Sequence, residues 1–318
     1  MDLATANRLA HSIRQELGKA LVGQEAVIEE AVVALLAGGH ALLEGVPGTG
    51  KTLLGRTLAR VTGTRFQRIQ FTPDLMPSDI IGVNVFDLAA KQFDFRPGPL
   101  FGDIVLADEI NRAPAKTQAA LLEAMQERQA TVDGKPYPLS RVFAVFATQN
   151  PVEFEGTYPL PEAQVDRFML KIVIDYPDEA AESRILDKIE SGFNPADLTG
   201  VNLEQVLDAK TLIELRELTR SIHMEEMVRT YVTRVIRATR SRPQITLGAS
   251  PRAGVMLMLA AKAKALLAGR DFVSPDDVKA MAPAVLRHRI LLIPEAEVEG
   301  LSPDDCLKEI LSSTQVPR

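Results

Sequence analysis

The chain has 318 residues, enough for two domains that each bury a core. Its 46% hydrophobic and 25% charged content is ordinary for a soluble globular protein, and its net charge of −6 argues against general affinity for DNA or RNA. A single cysteine, Cys306, excludes an internal disulfide and fits a reducing compartment.

In chain order, Met1–Asn7 lacks the basic start and long apolar centre of a secretion signal, so a cytoplasmic protein is expected. From Asn7 to Ala37 apolar residues recur at helical spacing, with a short hinge at Leu21-Val22-Gly23-Gln24. The longest apolar stretch, Ala31 to Leu43, is broken by Gly38, Gly39 and His40 and is too short to span a bilayer, so no membrane insertion is expected. Strand-length apolar runs follow at Ala41–Leu43, Phe66–Phe71, Ile104–Ala107, Val142–Ala147 and Phe168–Ile174, with helical or loop patterns between them. That alternation predicts an α/β core with a mostly parallel sheet covered by helices.

Two interruptions of the core read as hairpins. Gly82–Pro97 alternates Val83 and Val85 against Asn84, then Phe93 and Phe95 against Asp94, around a polar turn at Ala90-Lys91-Gln92. Thr131–Arg141 carries Asp133-Gly134 as its turn. Phe86, Phe93 and Tyr137 are candidate grips on a partner or pore residues; the alternative, packing of the hairpins on the core, suits Phe93 and Phe95 better.

After Asp175 the texture changes. Asp178–Glu190 reads as a helix, and Ser191–Asn202, rich in Gly, Asn and Pro, reads as a connector. Beyond it only helical patterns occur. Ser250-Pro251, Ser274-Pro275 and Ser302-Pro303 mark helix starts, where serine caps orphan N–H groups and proline suits the first helical position. A separate small all-α domain is expected there.

The strongest chemical signal is Gly45 to Thr52, G-V-P-G-T-G-K-T, between an apolar run and a helical pattern. Gly45, Gly48 and Gly50 let the backbone approach a ligand and turn N–H groups toward phosphate oxygens, and the helix N-terminus adds partial positive charge. Lys51 would reach the β- and γ-phosphates and the Thr52 hydroxyl would hold Mg²⁺; Pro47, Thr49 and Leu53 complete the expected nucleotide contacts. A tight glycine turn without a ligand would need neither Lys51 nor Thr52.

Ile104–Ala107 runs into Asp108-Glu109, so the two acids mark the C-terminal end of a buried strand, where ligands bind in such sheets. Asp108 would help fix the metal and Glu109 would polarise the attacking water. Asn150, after the Val142–Ala147 run, would sit beside the acidic strand and orient that water; turn chemistry before Pro151 accounts for it equally well. Arg167 precedes the last strand and Arg252 opens a helix of the second domain. Their spacing alone assigns them no role.

Taken in this order, the segments resemble an AAA+ ATPase, and more narrowly the MoxR family. The resemblance rests on Val22-Gly23-Gln24, Gly45–Thr52, Arg68–Asp79, Gly98-Pro99-Leu100-Phe101, Ala107–Pro114, Ala147–Pro151, Leu160–Phe168, Ser250–Ala253 and Leu286-Arg287-His288-Arg289, and covers nearly the whole chain. It implies an AAA+ nucleotide-binding core over 1–175 with a five-stranded sheet and hairpins inserted at helix 2 and before the sensor strand. A connecting helix and linker follow at 176–202, then a helical lid at 203–318. Under this resemblance Asn150 is the first sensor, Arg252 the second, Arg167 an arginine finger given to a neighbouring subunit, and Val22 and Gly23 contact the adenine. It further implies ATP and Mg²⁺ as cofactors and a hexameric ring. The expected function is ATP-driven remodelling or activation of client proteins, with von Willebrand factor A domain proteins or metal-cofactor-dependent clients as partners. A nucleic-acid motor related to replicative helicases is the alternative, against which the acidic balance speaks. A non-hydrolysing nucleotide switch would not need both Asp108 and Glu109.

Overall fold

The computed structural model describes residues 1–150 and 157–317; the turn assigned to Pro151 lies outside them. Helix α1 (Leu3–Ala20) is capped by Asp2, whose carboxylate accepts from the Thr5 N–H at 2.7 Å. Helix α2 (Glu25–Ala37) buries every residue from Ala31 to Ala37, so its C-terminal half is apolar and packed on all sides. The chain continues through β1 (Ala41–Gly45), α3 (Lys51–Val61), β2 (Phe66–Gln70), α4 (Pro77–Ile81), β3 (Gly82–Asp87), β4 (Gln92–Pro97), β5 (Ile104–Asp108) and α5 (Ala115–Glu127). Strands β6 (Gln129–Val132), β7 (Lys135–Pro138) and β8 (Ala144–Gln149), helix α6 (Glu162–Val165) and β9 (Leu170–Ile174) complete the α/β part.

The five apolar runs all enter one sheet, ordered β2-β5-β8-β1-β9, and every pairing in it is parallel. β5 is buried along its whole length because helices cover both faces. β8 lies between β5 and β1, so the C-terminal ends of these strands stand side by side. They lead into Asn150, the acid pair and the glycine loop respectively.

Both hairpins form. The β6–β7 turn places Asp133 (φ 49°) and Gly134 (φ 78°) in the left-handed region that a two-residue hairpin turn demands. Helix α4 ends at Ile81, where the chain enters the β3–β4 hairpin, and only a short 3₁₀ turn at Pro99–Phe101 follows it. Phe95 stacks on Tyr137 with ring centres 3.9 Å apart, and Asn84 donates to Asp133 at 2.7 Å, so the two hairpins brace each other. Packing therefore accounts for Phe95 and Tyr137. It does not account for Phe93, which is 69% exposed and paired edge-to-face with Phe86 (46% exposed) on the outer part of the hairpin.

After β9 come α7 (Glu179–Glu190), a turn-rich connector, α8 (Ala209–Ser221), α9 (Glu226–Ala238), β10 (Ile245–Leu247), α10 (Pro251–Leu267), α11 (Pro275–Leu286), β11 (Leu291–Leu292), α12 (Pro294–Val298) and α13 (Pro303–Ser313). The three serine caps form, with a reciprocal capping box at Ser274–Asp277 and another at Ser302–Asp305. The expectation of helices alone is corrected by the antiparallel β10–β11 pair. Strands of three and two residues are too short to show a period of their own.

The lid also does not bury a core by itself. One apolar cluster runs from α1 and α2 through one face of the sheet into α8–α11, with Leu35, Leu43, Leu215, Leu257 and Val285 in continuous contact; a second cluster fills the other face. Buried Arg216 of α8 ties the parts together by donating to the carbonyls of Leu35 at 2.9 Å, Arg141 at 3.1 Å and Val142 at 3.2 Å. Beyond α11, Arg287, His288 and Arg289 donate to the carbonyls of Lys171, Phe168 and Met169, so the lid covers the edge of the sheet at β9.

Candidate functional site

The loop between β1 and α3 owes its shape to Gly48 (φ 83°) and Gly50 (φ 84°), which take up a left-handed backbone that side chains oppose. Two further bonds fix it: the Thr49 hydroxyl donates to the Val46 carbonyl at 2.9 Å, and Gln24 Nε2 donates to the Thr49 carbonyl at 2.8 Å. Lys51 opens α3, and its ammonium is folded onto the carbonyls of Gly45 and Val46 in the same loop.

Across the cleft, Glu109 sits at φ 57° and ψ 51°, a left-handed conformation unfavourable for a residue with a side chain. Buried Thr148 of β8 holds it there. Its hydroxyl accepts from the Glu109 N–H at 2.7 Å and donates to Asp108 Oδ1 at 2.7 Å. From the edge strand β2, Arg68 donates to Asp108 Oδ2 through Nε at 3.0 Å and Nη2 at 2.7 Å. Gln70 Nε2 donates to Glu109 Oε2 at 2.9 Å, and Arg112 Nη1 to the same oxygen at 3.0 Å. Both acids are thus oriented by charge-assisted bonds.

Loop and acids face one cavity of about 620 Å³, within the usual range for small-molecule sites. Of the residues expected at the site, Val22, Pro47, Gly48, Thr49, Gly50, Lys51, Thr52, Leu53, Asp108, Glu109 and Asn150 line it. Gly45 and Gly23 do not. A Cβ on Gly45 would lie 2.4 Å from the Ile174 carbonyl oxygen, and one on Gly23 2.5 Å from the Ala181 Cβ, so these glycines permit close packing on β9 and α7. Apolar lining comes from Ile185 and Ile189 of α7, Phe193 of the connector, and Leu21 and Val22. Such lining suits a flat heterocycle. The Thr52 hydroxyl and Asp108 carboxylate are hard oxygen donors, and no histidine or cysteine is among the residues lining the cavity. Among the described residues there is no cluster of three or more histidine, cysteine or acidic side chains that would hold a metal alone.

Arg167 and Arg252 lie outside this cavity. Arg167 Nη1 donates to the Leu122 carbonyl of α5 at 2.8 Å. Arg252 Nη1 stands 3.8 Å from Oδ2 of Asp166, the residue before Arg167, so Arg252 lies beside the segment that carries Arg167. Sequence reasoning assigned no role to Thr148, Arg68, Gln70, Arg112 or Asp166. Thr148 had a visible signal, being two residues before Asn150 at the end of the same strand, and Arg112 another, being three residues after Glu109; the others take their places only through the sheet order or the lid.

Residues 40–170 match the ATPase family associated with various cellular activities (AAA), and residues 237–310 match the AAA lid domain. The chain is 46% identical to the uncharacterized protein YeaC of Bacillus subtilis, over 95% of this chain and 93% of the relative. It is 43% identical to Chaperone MoxR1 of Mycobacterium tuberculosis over 95% of this chain and 81% of the relative. Identity to Protein MoxR of Methylorubrum extorquens is 33%, over 91% of this chain and 89% of the relative. A crystal structure of a candidate ATPase from Cytophaga hutchinsonii shares the fold at a TM-score of 0.90 and 40% identity, covering 99% of this chain and 97% of that one. Agreement in sequence and in fold along almost the whole length shows that the chain belongs to the MoxR family of AAA+ ATPases.

Proposed function

We propose that this protein hydrolyses ATP in a Mg²⁺-dependent reaction and uses the cycle to remodel or activate client proteins. The observation that carries the reading is an active site in two parts. Lys51, Thr52, Asp108, Glu109 and Asn150 share one cavity, whereas Arg167 and Arg252 both lie outside it, with Arg252 beside the segment that carries Arg167. Two guanidinium groups placed outside their own cleft suit the cleft of a second copy. Head-to-tail repetition of that contact closes a ring, for which six subunits is our proposal.

In the assembled site, the loop N–H groups and Lys51 hold the β- and γ-phosphates, with the base between the apolar wall of α7 and Val22. Thr52 and Asp108 would hold Mg²⁺, which when bound neutralises charge on the phosphate oxygens. Asn150 orients the attacking water, and Glu109 takes its proton after leaving Gln70 and Arg112. Arg167 and Arg252 of the neighbouring copy stabilise charge on the transferred group. Residues 1–175 supply the nucleotide site, 176–202 the wall over the base, and 203–318 the lid that carries Arg252. Clients of the von Willebrand factor A domain or metal-cofactor-dependent kind, and work in the cytoplasm, belong to the same proposal. The relatives named Chaperone MoxR1 and Protein MoxR favour it over a nucleic-acid motor.

Glu109→Gln tests the reading. It should keep nucleotide affinity, measured by titrating a fluorescent ATP analogue, and lower kcat by at least about a hundredfold. Equal turnover of Glu109→Gln and wild type would overturn the assignment of the base.

A further inference from the structure

One carboxylate between the lid and the sheet gathers more partners than the end of a four-residue helix requires. Asp166 follows α6 directly and precedes Arg167. Its Oδ1 accepts from Arg289 Nε at 2.7 Å, and its backbone carbonyl accepts from Arg289 Nη2 at 2.9 Å. The Ser250 hydroxyl lies 3.3 and 3.2 Å from the two carboxylate oxygens, while Arg252 Nη1 stands 3.8 Å from Oδ2.

The two arginines make different demands on this carboxylate. Arg289 has a side chain 1% exposed, so its charge is tolerable in the interior only with a counter-charge and filled hydrogen bonds. Oδ1 and the surrounding carbonyls meet that need. Arg252 is 44% exposed and lies beyond hydrogen-bond range, so nothing about burial calls for its pairing. Its pairing keeps it beside Asp166 instead. Ser250 adds to this: it caps α10 by accepting from the Ala253 N–H while donating to Asp166, so the helix turn that carries Arg252 is registered against the residue preceding Arg167. Arg167 is held at its other end by the Leu122 carbonyl.

We propose that Asp166 is a positioning residue that holds Arg252 and Arg167 as one unit and releases Arg252 to the triphosphate of a docked second copy. The proposal rests on the reading above, in which both arginines serve a neighbour's nucleotide. A triphosphate offers more charge than one carboxylate and accepts a guanidinium in bidentate fashion, so it outcompetes Asp166 for an exposed arginine. Arg289 stays behind, buried, and keeps the lid attached to the sheet during the exchange. Loss of phosphate returns Arg252 to Asp166. The lid, which carries Arg252 in the first turn of α10, therefore senses the neighbour's nucleotide through this exchange.

The test measures steady-state ATPase and nucleotide affinity for Asp166→Asn, Arg252→Ala, their double mutant and Arg167→Ala, each alone and mixed with Lys51→Ala. Asp166→Asn should lower kcat about ten- to a hundredfold, because two donors lose their aim, and leave affinity unchanged, because Asp166 is outside the cavity. Mixing with Lys51→Ala should restore turnover, since those copies bring an intact arginine face. Arg252→Ala should cost less in the Asp166→Asn background than in wild type. Asp166→Asn leaves Arg289 without its counter-charge, so Asp166→Asn/Arg289→Met, which removes both charges, repeats the measurement on a neutral interior. Wild-type kcat in that variant, or fully independent effects of Asp166 and Arg252, would overturn the proposal. Rescue of Arg167→Ala but not of Asp166→Asn would overturn it alone. Rescue of neither would remove the shared-site reading and this inference together.

Discussion

Thr148 shows how much one hydroxyl can carry at this site. It closes the Asp108–Glu109 turn from both sides, bonding the N–H of one acid and the carboxylate of the other. Thr148→Val keeps the volume and removes both bonds, leaving buried polar groups unsatisfied. The expected cost is about 1–3 kcal/mol in urea unfolding, with a fall in kcat as Glu109 leaves its strained conformation. Titrating residues give a second prediction. Burial pushes the His40 imidazole down to about 3 and the His288 imidazole well below its ordinary value, whereas burial pushes the Glu30 carboxyl up to about 7. Between pH 5 and 6 the unfolded chain holds protons on both histidines and the folded chain holds one on Glu30. Unfolding then takes up more protons than it releases, so stability should rise with pH across that window. The histidine contribution is full above about pH 6.5 and lost on acidification; that of Glu30 is full below its unfolded value near 4.5 and lost as pH rises through 7. Urea midpoints at pH 5 and pH 6 check the sign, and a flat profile would refute it.

At the scale of elements, the helix starts were the most legible part of the chain. A serine before a proline, joined by aspartates after Ser274 and Ser302, is a local arrangement whose bonds span three residues, and the caps at Ser250, Ser274 and Ser302 form as read. Ser274→Ala should cost about 1 kcal/mol in the urea transition, since it removes the bond to the Asp277 N–H at 3.4 Å. The connector after α7 was legible as a connector but not as a wall of the site, because Phe193 gains its role only by folding back over the cavity. The short β10–β11 pair was invisible for a related reason: its two halves are far apart in the chain and each is too brief to alternate. Phe93 and Phe95, two residues apart on one strand, differ because only Phe95 has the second hairpin above it.

For the whole molecule, the lid is packed against α2 and the edge strand β9, and that placement decides which side of the protein Arg252 occupies. If both arginines serve a neighbour, mixing Arg167→Ala with Lys51→Ala should recover turnover that neither has alone, peaking at intermediate ratios. Arg167→Ala by itself should lose about a thousandfold or more in kcat while keeping nucleotide affinity. No recovery at any ratio would refute the shared site. Sequence alone determined the phosphate loop, the acid pair and the helix caps, because each is built from residues a few positions apart whose backbone geometry is set by glycine, proline or a capping side chain. Tertiary structure alone decided that Thr148 and Arg68 grip Asp108, that α7 walls the cavity, and that Asp166 meets Arg289 across 123 positions of chain. Such contacts leave no local pattern, since they follow from how buried apolar surfaces stack and not from the spacing of neighbours.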